Sequence, residues 1–130
     1  MRRILIVEDS SSMRSMLAAA FESLAEPCKI TEVASGFEAL AALPRATFDL
    51  IVTDINMPDI NGLELVSFAK NDPKYRDIPL VIVSTEGSER DRAKGMSLGA
   101  NAYVVKPFQP EELRRVVEEL LASPASGEEG

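Results

Sequence analysis

Four short runs of branched apolar residues punctuate this chain, and each hands over to a polar group. Ile4-Leu5-Ile6-Val7 is followed by Glu8-Asp9, and Phe48-Asp49-Leu50-Ile51-Val52-Thr53 by Asp54. Leu80-Val81-Ile82-Val83 leads to Ser84-Thr85, and Tyr103-Val104-Val105 to Lys106-Pro107. Continuous β-branched runs of this length read as strands buried on both faces of a parallel sheet. Parallel α/β sheets bind ligands in the crevice beyond the carboxyl ends of their strands. Three acids, a hydroxyl and an ammonium, distant in sequence, are therefore expected on one rim.

The segments between the runs have helical spacing. Met13, Met16, Leu17, Ala20, Phe21 and Leu24 mark a first helix stopped by Pro27. Lys29-Ile30-Thr31-Glu32-Val33 alternates as a second strand. Ser35-Gly36 opens a short helix with Phe37, Leu40, Ala41 and Leu43 on its apolar side, ended at Pro44. Met57-Pro58-Asp59-Ile60-Asn61-Gly62 is a turn-rich loop. Leu63, Leu65, Val66 and Ala69 form the next helix, which ends before Pro73. A fourth helix is expected over Glu86 to Leu98. It carries Gly87 and Gly95, each costing about 1 kcal/mol relative to Ala inside a helix, so it reads as the least stable one. The last helix starts near Gln109-Pro110 and presents Leu113, Val116, Val117, Leu120 and Leu121. Strict strand–helix alternation predicts an α/β fold of three layers, a doubly wound (βα)5 parallel sheet.

At 130 residues the chain fits one domain, expected over residues 1–122, with a flexible tail or linker start at 123–130. A net charge of −7 argues against direct nucleic-acid binding, which needs Lys and Arg to neutralise phosphates. No apolar stretch approaches the length of a membrane helix and no secretory leader is evident. The single Cys, Cys28, suits a reducing cytoplasm. With no His and one Cys a zinc site is disfavoured, and any metal here should be a hard ion that prefers oxygen.

Convergence of Glu8, Asp9 and Asp54 has an electrostatic consequence. Two carboxylates about 4 Å apart repel by roughly 4 kcal/mol at an effective dielectric of 20. Such a trio needs a cation, and Mg²⁺ or Mn²⁺ fits a site of carboxylates, a carbonyl and water. An Asp beside a divalent ion is a candidate nucleophile for phosphoryl transfer. The Lys106 ammonium and the Ser84 hydroxyl would then stabilise the oxygens of the transferring group. Taken singly, Asp9 reads more readily as a helix cap, Asp54 as a turn residue and Ser84 as a strand-end hydroxyl, whereas the place of Lys106 before Pro107 at the end of an apolar strand argues against a mere surface lysine. A cis Lys106–Pro107 bond is permitted by the sequence but not demanded by it.

These residues, together with Asp54-Ile55-Asn56-Met57-Pro58, Asn61-Gly62, Ser84-Thr85-Glu86 and Gly99 to Phe108, resemble the receiver domain of bacterial response regulators. The spacing matches throughout: forty-five residues from Asp9 to Asp54, thirty on to Ser84 and twenty-two on to Lys106. The resemblance implies a flavodoxin-like sheet in the order 2-1-3-4-5. It implies Asp54 as phosphoacceptor, with Asp9, Asp54 and the backbone carbonyl of Asn56 as direct Mg²⁺ ligands and Glu8 acting through water. Ser84 would be the switch hydroxyl, Lys106 the ammonium partner of the phosphoryl group, and Tyr103 an aromatic that turns inward when Ser84 moves. A sensor histidine kinase would be the donor. A downstream protein would dock on the face of helix 4, strand 5 and helix 5, about residues 86–121. Asn56 and Glu86 occupy positions that tune self-dephosphorylation, and their pairing resembles the chemotaxis type with a short-lived phosphoryl group.

Three details depart from the family pattern: Glu8 where Asp is commoner, Asn61 before Gly62, and Thr85, whose bulk would restrict access to the acyl phosphate. The resemblance further implies a cytoplasmic, single-domain switch, or alternatively a receiver domain cut from a larger regulator with a DNA-binding or enzymatic output domain. Three other readings fit the architecture less well. A pseudo-receiver would not need the complete acid, hydroxyl and lysine set. A flavin carrier would need a phosphate-binding loop after the first strand. A phosphatase of the haloacid dehalogenase type would need a second Asp two positions beyond Asp54, where this chain has Asn56.

Overall fold

The computed structural model describes residues 1–24 and 26–122. The expected tail at 123–130 lies outside the described residues. Five strands alternate with five helices: β1 (Arg2–Val7), α1 (Ser11–Glu22), β2 (Cys28–Val33), α2 (Gly36–Ala42), β3 (Leu50–Thr53), α3 (Gly62–Asn71), β4 (Leu80–Ser84), α4 (Glu89–Ser97), β5 (Ala102–Val105) and α5 (Pro110–Ala122). A 3₁₀ turn at Leu43–Arg45 extends α2. All strand pairs are parallel, in the order β2-β1-β3-β4-β5.

The sheet separates two apolar cores, and strand periodicity decides which side chain enters which. Ile4 and Ile6 of β1, Leu50 and Val52 of β3, and Val81 and Val83 of β4 face one side. There they meet Leu17 and Phe21 of α1 and Leu113 and Val117 of α5. Leu5, Val7, Ile51, Leu80 and Ile82 face the other side, against Ala39 of α2 and Leu65, Val66 and Ala69 of α3. A fully buried side chain of this kind contributes about 1.5–3 kcal/mol, so covering both faces is what selects the three-layer arrangement.

Side-chain caps start the helices where loops leave the rim. The Ser10 hydroxyl accepts the Met13 N–H, Ser35 that of Glu38, and Ser88 that of Asp91. Asn61 and Glu64 form a reciprocal capping box on α3. Pro110 occupies the first turn of α5, where its missing N–H is harmless.

Three sequence expectations need correction. Met16 does not join the core but is 50% exposed, because the buried stripe of α1 runs through Leu17, Ala18, Ala20 and Phe21. Phe37 is 65% exposed at the first turn of α2 and Ala41 is exposed as well, so Ala39 takes the inward position instead. The fourth helix does not begin at Glu86 but at Glu89, after its Ser88 cap, so Gly87 belongs to the preceding loop. Gly95 is in the helix, and there it permits close packing. A Cβ at that position would lie 2.7 Å from Ile82 Cδ1 and 3.2 Å from the Tyr103 ring.

Candidate functional site

The parallel register brings the polar residues after the strands to one edge. Val7 pairs with Thr53, so Glu8 and Asp54 emerge side by side, and Ser84 pairs with Val105, so Lys106 emerges one strand further on, beyond β4. Main-chain bonds continue past the strands: the Asp54 N–H donates to the Val7 carbonyl at 3.1 Å, and the Lys106 N–H to the Ser84 carbonyl at 2.8 Å. The Lys106–Pro107 peptide bond is cis.

The Lys106 ammonium joins two of the acids. Its Nζ lies 2.9 Å from Glu8 Oε1 and 3.0 Å from Asp54 Oδ2. Glu8, Asp54 and Ser84 are buried, whereas Asp9 stands exposed at the mouth. Carboxylate oxygens of Glu8, Asp9 and Asp54 all come within 4.8 Å of one another. Three acids against one ammonium leave negative charge to be neutralised, and the donors are hard oxygens. That donor set fits a Mg²⁺- or Mn²⁺-sized cation.

Burial pushes the Glu8 carboxyl above its usual range, and its bond to Lys106 offsets only part of this. For Lys106, burial works against the charged form, but the bonds to Glu8 and Asp54 together outweigh it and raise its value. The second oxygen of Glu8 accepts the Ser10 N–H at 3.1 Å. The extra methylene of Glu8 thus lets one carboxylate reach both the lysine and the start of α1.

Asp9 is not the cap of α1; Ser10 has that role. Asp54 does anchor a turn, since its Oδ1 accepts the Ile55 N–H at 2.6 Å and the Asn56 N–H at 3.4 Å, while Oδ2 faces Lys106. Turn anchor and rim acid are therefore compatible. Ser84 Oγ accepts the Glu86 N–H at 3.1 Å. Asn56 Nδ2 donates to Glu86 Oε2 at 3.1 Å, so the two side chains expected to tune dephosphorylation meet across the rim. Thr85 is exposed beside them. Tyr103 is turned inward: its ring is buried and its hydroxyl donates to the Glu86 carbonyl. Burial raises its phenol above the ordinary value, with the Ser84 hydroxyl acting in the opposite direction.

Sequence reasoning missed three contributors. Arg14 donates from Nη1 to the Glu8 carbonyl at 2.8 Å and pairs with Glu32 at 3.7 Å. Its placement in the first turn after the acids was the available signal. Arg92 of α4 stacks its guanidinium 5.5 Å from the Tyr103 ring centroid. Asp59 bonds to the first turn of α2. No local pattern announces either of the last two.

Fold and rim together define a parallel α/β module with an acidic edge fitted to a hard cation, and comparison with known proteins identifies it: the chain belongs to the response regulator receiver domain family, whose model matches residues 4–118. A receiver domain is a regulatory switch of two-component signalling. The chain is 36% identical over 127 residues to a chemotaxis protein CheY homolog of Campylobacter jejuni, covering 97% of this chain and 96% of that protein. It is 34% identical over 122 residues to chemotaxis protein CheY1 of Helicobacter pylori, covering 93% and 98%. Among solved structures, the chemotaxis response regulator CheY4 of Vibrio cholerae superposes with a TM-score of 0.84 at 33% identity, over 92% of this chain and 98% of that one.

Proposed function

We propose that this protein is a chemotaxis-type response regulator in which Asp54 accepts a phosphoryl group from the phosphohistidine of a sensor kinase. The observation that carries this reading is the Lys106 ammonium held between Glu8 and Asp54, with Asp9 at the mouth. An Asp54 oxygen forms the new bond to phosphorus as the bond from phosphorus to the donor imidazole nitrogen breaks. The imidazole keeps the electron pair and is protonated by solvent. Lys106 neutralises charge on the transferring oxygens, and the Ser84 hydroxyl exchanges its bond to the Glu86 N–H for one to the phosphoryl group. Asp9, Asp54 and the Asn56 carbonyl would hold Mg²⁺, with Glu8 acting through water; when bound, the ion supplies the positive charge that makes an added dianion tolerable.

The relay runs through Ser84 and Tyr103 to the face of α4, β5 and α5, where a downstream protein would dock. Two observations support it: Tyr103 and Ser84 both bond to Glu86, and Gly95 of α4 rests on the Tyr103 ring. Asn56 and Glu86 flank the same pocket and would set how long the phosphoryl group survives. A cytoplasmic location goes with this role; among the described residues no helix is long and apolar enough to cross a membrane. The test is phosphotransfer from acetyl phosphate with Mg²⁺, read by intact mass. A gain of one phosphoryl group in the native chain, absent in Asp54→Asn, is expected; an equal gain in both would sink the assignment.

A further inference from the structure

Between Asp54 and α3 the chain makes an excursion over residues 55–61. Its base is closed by the Gly62 N–H, which donates to the Ile55 carbonyl at 2.8 Å. Its first limb folds back on Asp54 through the Ile55 and Asn56 N–H groups. The far limb is tied to a different element. Asp59 Oδ1 accepts the Gly36 N–H at 3.1 Å, and Oδ2 accepts the Phe37 N–H at 2.9 Å.

Those two donors open α2 and have no partner within that helix. Ser35 occupies its own hydroxyl with the Glu38 N–H and leaves them free. Each Asp59 oxygen takes one, so the carboxylate makes a two-point grip. The seat beneath it is close: a Cβ on Gly36 would stand 2.6 Å from Ile60 Cβ. Bonds from the Phe37 N–H above all hold the Asp59 carboxyl at about 2, so it remains a charged acceptor at any physiological pH.

We propose that Asp59 is a positioning residue for the loop that follows Asp54: by gripping α2 it fixes where residues 56–58 stand, and with them the Asn56 carbonyl. Only Met57 and Pro58 separate Asn56 from Asp59, and the Pro58 ring removes one backbone freedom from that short arm. The inference rests on the proposed reading of the Asn56 carbonyl as a cation ligand. Mg²⁺ demands near-ideal octahedral geometry and tolerates little displacement of a ligand. Loosening the grip should therefore weaken cation binding while leaving the Asp54 nucleophile in place.

The full chain and its Asp59→Ala and Asp59→Asn variants decide this. Mn²⁺ titrations followed by electron paramagnetic resonance, without any phosphodonor, give the affinity. Amide NMR shifts of Asn56 and Gly36 report the loop, and thermal melts report stability. Asp59→Ala should weaken Mn²⁺ about tenfold, the lower end of what supporting residues around metal ligands cost. It should also raise the Mg²⁺ concentration needed for half-maximal phosphorylation, with little change in rate at saturation. Asp59→Asn keeps one acceptor oxygen, should fold in any case, and should lose affinity to an intermediate degree. Melting temperatures that fall in both variants while Mn²⁺ affinity stays native would overturn the proposal, leaving Asp59 as a simple helix cap. A native chain that binds Mn²⁺ but takes no phosphoryl group would overturn the phosphoacceptor reading, and the titrations would still decide the role of Asp59.

Discussion

Replacing Lys106 by Met keeps the length of the side chain and removes the ammonium between Glu8 and Asp54. At 2.9 and 3.0 Å, each attraction is worth about 5–6 kcal/mol at an effective dielectric of 20. Desolvation of the three ions opposes that gain by several kcal/mol per ion, so the triad contributes far less than the sum. Removing one partner is different, because the remaining charges stay buried. Glu8 is 2% and Asp54 8% exposed, and stripping such a pair of its counter-ion costs about 3–5 kcal/mol.

For a chain of this size each kcal/mol moves the melting point by about 3–5 °C, so a drop of about 10–25 °C is expected. The loss should depend on pH with a definite sign. Burial already raises the Glu8 carboxyl above 4.5, and without the ammonium it rises further. A carboxyl raised in the folded state stabilises the fold below its unfolded value and loses that contribution as pH climbs through the folded one. The variant's deficit should therefore be greatest near neutrality and shrink in mild acid. Added Mg²⁺ should recover part of it at neutral pH, by restoring positive charge between the same carboxylates. Thermal melts followed by circular dichroism, at mildly acid and neutral pH with and without Mg²⁺, read all of this. A variant that melts with the native chain at neutral pH, or whose deficit ignores acid, would refute the reasoning.

A Cβ at Gly62 would collide with the Asp54 carbonyl and lie 2.7 Å from Ile55 Cα, so Gly62→Ala should cost about 1–3 kcal/mol in urea unfolding and abolish beryllofluoride uptake at Asp54. Gly95→Ala sets a gain in helix propensity of about 1 kcal/mol against overpacking on Ile82 and Tyr103; the ring should be displaced, visible in its NMR shifts, and a variant more stable than native would contradict the close packing. Arg92→Ala removes a cation–π contact worth about 0.5–1 kcal/mol and should broaden the Tyr103 ring signals as the inward rotamer loses population. The raised Lys106 contributes stability that is complete below its ordinary value of 10.5 and is lost as pH climbs through its folded value; urea midpoints should decline there in the native chain and much less in Lys106→Met.

The sheet was legible because its strands are unbroken branched runs, and a strand buried on both faces has no other use for such residues. The rim followed from it, since a residue just past a parallel strand has one edge to go to. Glu8, Asp54 and Lys106 meet there as expected. Helix phase was harder to read. Spacing admitted Met16 and Phe37 as inward residues, but the inward direction is set by the partner surface, and only the fold supplies that. The start of α4 was written in Ser88 and Asp91, a cap with an acid three residues on, and helix-breaking Gly87 was the stronger warning. Gly95 looked like a local cost because its reason, the Tyr103 ring, arrives later in the chain. Asp59 and Arg92 join elements distant in sequence, and a lone charged residue does not disclose its partner.

The division of the interior into two apolar compartments has a mechanical consequence. Tyr103 belongs to the compartment shared with α2 and α3, while α1 and α5 pack on the opposite side of the sheet. A pull on α4 loads the Tyr103 compartment first and reaches the other only through β5, whose Val104 faces it, and through α5. Amide exchange on ligand binding should accelerate or slow around β4, β5 and α4, with the α1 protons keeping time as before.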